Sequence, residues 1–203
     1  MNELEGMEKD ILTEVATIGS GNASMALSKM LDKKFEVKVP LLQLIPVEKI
    51  SEMMGNPEQL ITLVMIKIIG DVPGTMMLLF NPENAIKLAE QLTKRIKNDG
   101  ILDEADRSAL KEVGNILAGS ALNALADFLD FTLVQSIPDI ATDMLNAVIN
   151  TITADLGQEA EKVLVLETIF RDEASTVEGK YYLLFDPKST QAILDAVKKK
   201  INQ

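Results

Sequence analysis

The chain has 203 residues, 47 % hydrophobic and 25 % charged, which fits one globular domain or two small ones sharing a core and excludes a disordered chain. Its formal net charge is −11, a balance that repels phosphate backbones and argues against nucleic acid as a partner. Without a single Cys or His, it can form no disulfide, thiolate nucleophile, Ser-His-Asp triad or thiolate or imidazole metal site.

The first ten residues, "MNELEGMEKD", are charged and acidic, so they do not read as a signal peptide. The longest apolar stretch, "LITLVMIKIIG", is broken by Lys67 and falls well short of the ~18–20 apolar residues of a membrane span. No Lys/Arg run reads as a membrane-surface patch. The expectation is a soluble, cytoplasmic protein with no membrane insertion.

In chain order, a long helix comes first, through "ILTEVATIGSGNASMALSKMLD". "KFEVKVP" then alternates like a strand. Residues 47–55 read as a short helical piece. "LITLVMIKI" and "GTMMLLF" form a hairpin through "IGDVPG", and Asn81-Pro82 is a cap-then-Pro start for a helix over 83–97. A second long helix begins near Asp106 or Ser108. Residues 139–157 have Ile140, Met144, Leu145, Val148, Ile149 and Ile152 at helical spacing, which predicts an amphipathic helix. "KVLVLETIF" and "GKYYLLF" flank a turn at "RDEAST", and Asp186-Pro187 starts a last helix over 188–201. Aromatics are only 4 % and Trp is absent, so the core is built from Leu, Ile, Val, Ala and Met; ten Met could serve adaptable binding, but those of "EMMG" and "TMMLL" read as gap-filling core and strand residues.

The chain repeats itself. At an offset of 98, "ILTEVATIGSGNASMALSKMLD" lies over "ALKEVGNILAGSALNALADFLD", without a gap to Pro40 over Pro138. "GTMMLLFNP" matches "GKYYLLFDP" at an offset of 105. The whole chain, 1–203, therefore reads as one domain of two copies of a unit, about 8–100 and 104–203. Each copy runs helix, strand, variable middle, strand, strand, helix. The fold class is α+β: an antiparallel sheet shared by both halves, with the two long helices packed on one side.

At 100° per residue, Ser108, Glu112, Asn115 and Gly119 lie within about 60° of one another on the second long helix. Asp10, Glu14, Thr17 and Gly21 form the same stripe on the first. Such a stripe is ordinarily just a solvated face. This one occurs twice in register, carries no Lys or Arg, and includes a glycine that costs a helix interior about 1 kcal/mol relative to alanine. A carboxylate and an amide one turn apart suit positioning chemistry: the first pairs with a cation, the second holds a water in a set direction. The glycines serve either close approach of a partner or helix–helix packing.

The pattern D/S-x-x-x-E-x-x-N, with Pro 23 residues further on, here Ser108, Glu112, Asn115 and Pro138, resembles the CheC/CheX/FliY family of chemotaxis phosphatases. Tandem copies and total length fit the CheC type best. The resemblance implies that the protein dephosphorylates the aspartyl phosphate of the response regulator CheY. Asn115 would orient the attacking water and Glu112 would pair with the regulator's active-site lysine. The resemblance also implies no cofactor or metal of the protein's own, the Mg²⁺ being carried by CheY, and a second partner, the receptor deamidase CheD. The first copy departs from the pattern, since Thr17 stands where the Asn belongs. Asn22 does not replace it, lying about 140° further round the helix. The Glu14/Thr17 site is therefore expected to be weak or inactive.

Two other readings remain open. One is a mainly non-catalytic adaptor that binds CheD, or a flagellar-switch-type interaction module, using the symmetry-breaking stretch 139–157 and the "DLGQEAE" after it. The other is a hydrolase with Glu14 and Glu112 as paired carboxylates, which needs them about 5–10 Å apart across a cleft.

Overall fold

A computed structural model of the chain describes residues 4, 6–96, 99–156, 162–174 and 176–202. The first long helix, α1, is Gly6–Leu31, and the second, α4, is Glu104–Leu129. Each is 26 residues long and stops at an aspartate in the left-handed conformation, Asp32 (φ 50°) and Asp130 (φ 57°). A short polar side chain tolerates that conformation, which explains why this pair matches between the repeats. α4 starts earlier than its apolar pattern suggests, because Asp103 caps it. The Asp103 carboxylate accepts from the Asp106 N–H at 3.1 Å, and the Asp106 carboxylate accepts from the Asp103 N–H at 2.9 Å.

Among the described residues, the strands are β1 Phe35–Pro46, β2 Leu60–Gly70, β3 Gly74–Phe80, β4 Leu133–Gln135, β5 Asp139–Met144, β6 Lys162–Asp172 and β7 Glu178–Phe185. They form one antiparallel sheet in the order β1-β6-β7-β3-β2-β4, with β5 continuing along β2 on the β4 edge. This order explains how the two copies share a core. Each repeat makes a hairpin, β2–β3 and β6–β7, and the hairpins meet at β3–β7, where Met77 faces Tyr182. Each repeat then gives its edge strand to the other's hairpin: β1 lies on β6, and β4–β5 on β2.

The remaining helices are α2 (Ile50–Met54, after a 3₁₀ turn Val47–Lys49), α3 (Pro82–Thr93), α5 (Leu145–Leu156) and α6 (Pro187–Ile201). α1 and α4 pack on one face of the sheet, as expected, and α3 and α6 flank them over a core that includes Leu27, Phe35, Val64, Leu88, Leu117, Phe170 and Ile193. α2 and α5 cover the opposite face, closing a second core around Ile50, Met77, Val148, Ile149, Val165 and Tyr182. Both faces of the sheet are therefore dry, which is why β6 and β7 read as nearly continuous apolar runs. Met76 and Met77 are fully buried, as gap-filling methionines should be.

One element differs from the sequence reading. Residues 139–144 are strand β5, not the start of a helix; the helix is α5, Leu145–Leu156. The apolar face of α5 is the expected one, with Leu145, Val148, Ile149 and Ile152 buried, but Met144 is exposed and Ile140 sits against the other core. The error has a physical cause. β5 is an edge strand with five of its six residues exposed, so it has no alternating pattern, and pairing with β2 alone makes it a strand. The 98-residue offset runs further than the sequence match does, since 133–144 is the counterpart of β1 at 35–46. At the other mismatch, α3 ends at Thr93 because Lys94 turns left-handed (φ 54°). Residue 97 of the expected 83–97 helix and residues 157–161 of the "DLGQEAE" stretch lie outside the described residues.

Candidate functional site

α4 lays its buried side, Leu110, Val113, Leu117 and Leu125, against the sheet, and this rotation brings the stripe outward. Ser108 and Glu112 are exposed; Asn115 and Gly119 are half-buried. The structure brings Glu112 and Asn115 together: the Asn115 amide Nδ2 donates to the Glu112 carboxylate Oε2 at 3.2 Å. On the other side of Asn115 stands Gln135, at the end of β4, whose Nε2 donates to Asn115 Oδ1 at 3.3 Å. Glu112, Asn115 and Gln135 are one hydrogen-bonded chain. Beside it Gly119 leaves room, for a Cβ there would come no closer than 3.8 Å, to Gln135 Oε1.

Sequence reading missed Gln135, and no local signal points to it. It becomes visible only because β4 is held on β2, with Gln135 opposite Ile68. Ser136 fastens the end of β4 twice, its N–H donating to the Lys67 carbonyl and its Oγ accepting from the Lys67 N–H, both at 2.9 Å. Pro138 then interrupts the ladder between β4 and β5, as a residue without an N–H must. It is itself buried, and the preceding Ile137 is pushed out to 90 % exposure. The motif proline thus shapes the rim of the site and presents no polar group to it. β1 has a register shift at the equivalent place, between Lys38 and Leu41.

The first repeat builds the same stripe without the same chemistry. Asp10, Glu14, Thr17 and Gly21 are all exposed on α1, and a Cβ at Gly21 would meet nothing within 4 Å. Thr17 donates its hydroxyl to the Thr13 carbonyl of its own helix at 2.8 Å. At the register of Gln135, β1 has Val37, which has no donor to offer. Around this stripe α1 is more apolar than α4: Met7, Ile18 and Met25 are each more than half exposed, and their spacing puts them on one ridge with Glu14.

The glycines divide by purpose. Gly19 is the packing glycine: a Cβ on it would sit 3.1 Å from both Ala121 Cα and Ser120 O, so it sets the crossing of α1 and α4. Gly21 and Gly119 face outward. Among the described residues, no cluster of three or more His, Cys, Asp or Glu could hold a metal ion, and no helix is long and apolar enough to cross a membrane.

The CheC-like family model matches residues 7–42 and 106–139, the two helix and edge-strand units that carry the stripes. The "CheY-P phosphatase CheC" of Bacillus subtilis (strain 168) is 30 % identical over 92 % of this chain and 90 % of its own length. The "Flagellar motor switch phosphatase FliY" of the same organism is 28 % identical over 62 % of this chain and 33 % of its own. The crystal structure of Thermotoga maritima FliY has the same fold, with a TM-score of 0.77 at 22 % identity, covering 97 % of this chain and 98 % of that one. With both repeats matched by the family model and a full-length relative at this identity, the chain belongs to the CheC-like family.

Proposed function

We propose that this protein is a phosphatase for the aspartyl phosphate of the chemotaxis regulator CheY, working through the α4 face. The observation that carries the reading is the outward-facing pair Glu112–Asn115, held at 3.2 Å, in a chain akin to "CheY-P phosphatase CheC". Neither group is a strong nucleophile, so their chemistry is positioning. Docked on the regulator, Glu112 exchanges the Asn115 amide for the regulator's active-site lysine. Asn115 then holds a water in line with the phosphorus. The water oxygen bonds to phosphorus and the bond to the aspartyl oxygen breaks; the aspartate stays in the regulator as a carboxylate, and inorganic phosphate leaves, the water's protons passing to it and to solvent. Any Mg²⁺ on the phosphate is held by the regulator, so this chain needs no metal of its own.

In this reading the units 8–100 and 104–203 are two docking faces in one cytoplasmic protein, of which Glu14/Thr17 is the degenerate one. Ser108, Gly119, Asp10 and Gly21 border the docking stripes. The test is phosphate release from phosphorylated CheY. Asn115→Ala should abolish most of the acceleration and Thr17→Ala should change little; equal losses would show that the two faces are wrongly ranked.

A second reading has its own support, the apolar ridge Met7–Ile18–Met25 on α1. An exposed ridge of that kind suits protein docking without chemistry, as for an adaptor that binds CheD or a flagellar-switch module. Capture of CheD by the wild type, lost in a Met7→Ser, Ile18→Ser, Met25→Ser variant that still releases phosphate, would support it. Binding unaffected by those changes would place the adaptor surface elsewhere.

A further inference from the structure

We infer that Gln135 is a positioning residue for Asn115, fixing which end of its amide meets the water; this rests on the phosphatase reading above. The argument runs outward from Glu112. An ionised carboxylate only accepts hydrogen bonds, so Asn115 must turn its Nδ2 toward Glu112 Oε2. That leaves Asn115 Oδ1 facing β4, where only a donor fits, and Gln135 supplies it with Nε2 at 3.3 Å. The orientation of both amides thus follows from the acceptor at the start of the chain. Gln135 is anchored for the task. It is half-buried at the end of a strand fastened by Ser136 to Lys67, and its own Oε1 is buried with no partner among the described residues. Among the described residues, the side-chain bond of Gln135 is the one that it donates to Asn115.

Gln135 matters most during the reaction. In the free protein the Asn115 amide is held from both sides. Once Glu112 turns to the regulator's lysine, the bond from Gln135 alone keeps the amide from rotating. A loose amide aims its water badly, and a misplacement of about 1 Å at a reacting centre costs up to ~100-fold in rate. The first repeat has Val37 at this register and Thr17 in place of the asparagine, so it lacks both the water-holding group and its support.

The experiment is steady-state phosphate release with Gln135→Met, Gln135→Glu and Gln135→Lys, alongside wild type and Asn115→Ala. Methionine keeps the length and removes the donor. Glutamate accepts only, so it sets a second carboxylate against Asn115 and gives its Oδ1 no donor. Lysine restores a donor. The Met and Glu variants should lose roughly ten- to a hundredfold in kcat, with KM for phosphorylated CheY within about threefold and Tm unchanged, while Lys recovers several-fold over Met. In an Asn115→Ala background, Thr17→Asn with Val37→Gln should restore more activity to the first face than Thr17→Asn alone. Wild-type kcat in the Met variant, or equal losses in Met and Lys, overturns the inference while leaving the phosphatase reading standing. A wild type without activity sinks both.

Discussion

The Thr17 hydroxyl donates to the Thr13 carbonyl at 2.8 Å, so the side chain that replaces asparagine in the first repeat is bonded to its own helix. Asn115 reaches instead across to another element, Gln135 of β4. A hydroxyl has one hydrogen to give, and here the helix takes it. Thr17→Ala should therefore leave phosphate release within about twofold of wild type. Its effect on stability should stay within the ±0.5 kcal/mol usual for an exposed position. Thermal melts and phosphate-release rates measured on one preparation check both. A tenfold loss of activity would mean that Thr17 takes part in the chemistry.

Three outward or inward glycines should respond to alanine with different signs. Gly21→Ala adds a methyl where nothing lies within 4 Å. It should stabilise the protein by up to about 1 kcal/mol, a rise of ~2–4 °C in Tm for a chain of this size. Gly19→Ala pushes a methyl against the α4 backbone at 3.1 Å and should cost about 1–3 kcal/mol. Gly119→Ala is the informative one, because 3.8 Å to Gln135 Oε1 is ordinary contact and the variant should be at least as stable as wild type. If α4 docks closely on the regulator, its KM should nevertheless rise. A Gly119→Ala protein with raised Tm and unchanged KM would show that the partner does not approach there.

Much of the fold was legible because its strongest signals are local or repeated. The caps at Asn81-Pro82 and Asp186-Pro187 work as read, each side chain accepting from the N–H three residues on. Repetition carries more: the match of Glu14 to Glu112 locates both stripes from the sequence alone. What the sequence hid depends on tertiary pairing. β5 looks helical because Ile140, Met144 and Leu145 fall at helical spacing, and only β2 makes it a strand. Gln135 is an ordinary polar residue until β4 lies beside α4. The outer face of α1 was hidden for a different reason, since an exposed methionine and a buried one look alike in sequence: Met25 is 67 % exposed and Met76 is fully buried.

Ile137 is 90 % exposed at the rim of the Asn115 site, held between Ser136, which is bonded to Lys67, and buried Pro138. An isoleucine so presented gains most when a partner covers it, about 1.5–3 kcal/mol for full burial. Ile137→Ala should therefore raise KM for phosphorylated CheY roughly tenfold, with kcat nearly constant, because the contact is equal in ground and transition states. Stability should not fall, since no core contact is removed. An unchanged KM would place the regulator's footprint away from the β4–β5 junction.

Asp172, at the end of β6, ties the turn into β7. Its carboxylate accepts from the Thr176 N–H at 2.6 Å, the Val177 N–H at 3.1 Å and the Thr176 hydroxyl. Burial works to raise its pKa, but the bonds from Thr176 and Val177 outweigh it, and the carboxyl sits below the usual aspartate range. A folded-state pKa below the unfolded one, about 3.9, gives a stability contribution fully present above the unfolded value. That contribution fades as pH falls through the folded pKa. Asp172→Asn should cost about 1–3 kcal/mol at pH 7, as expected for a hydrogen-bonded charge. The gap between variant and wild type should narrow below about pH 4. Urea melts of both proteins from pH 7 down to pH 3 would show this, and a gap that stays constant across that range would mean that the carboxylate charge does not stabilise the turn.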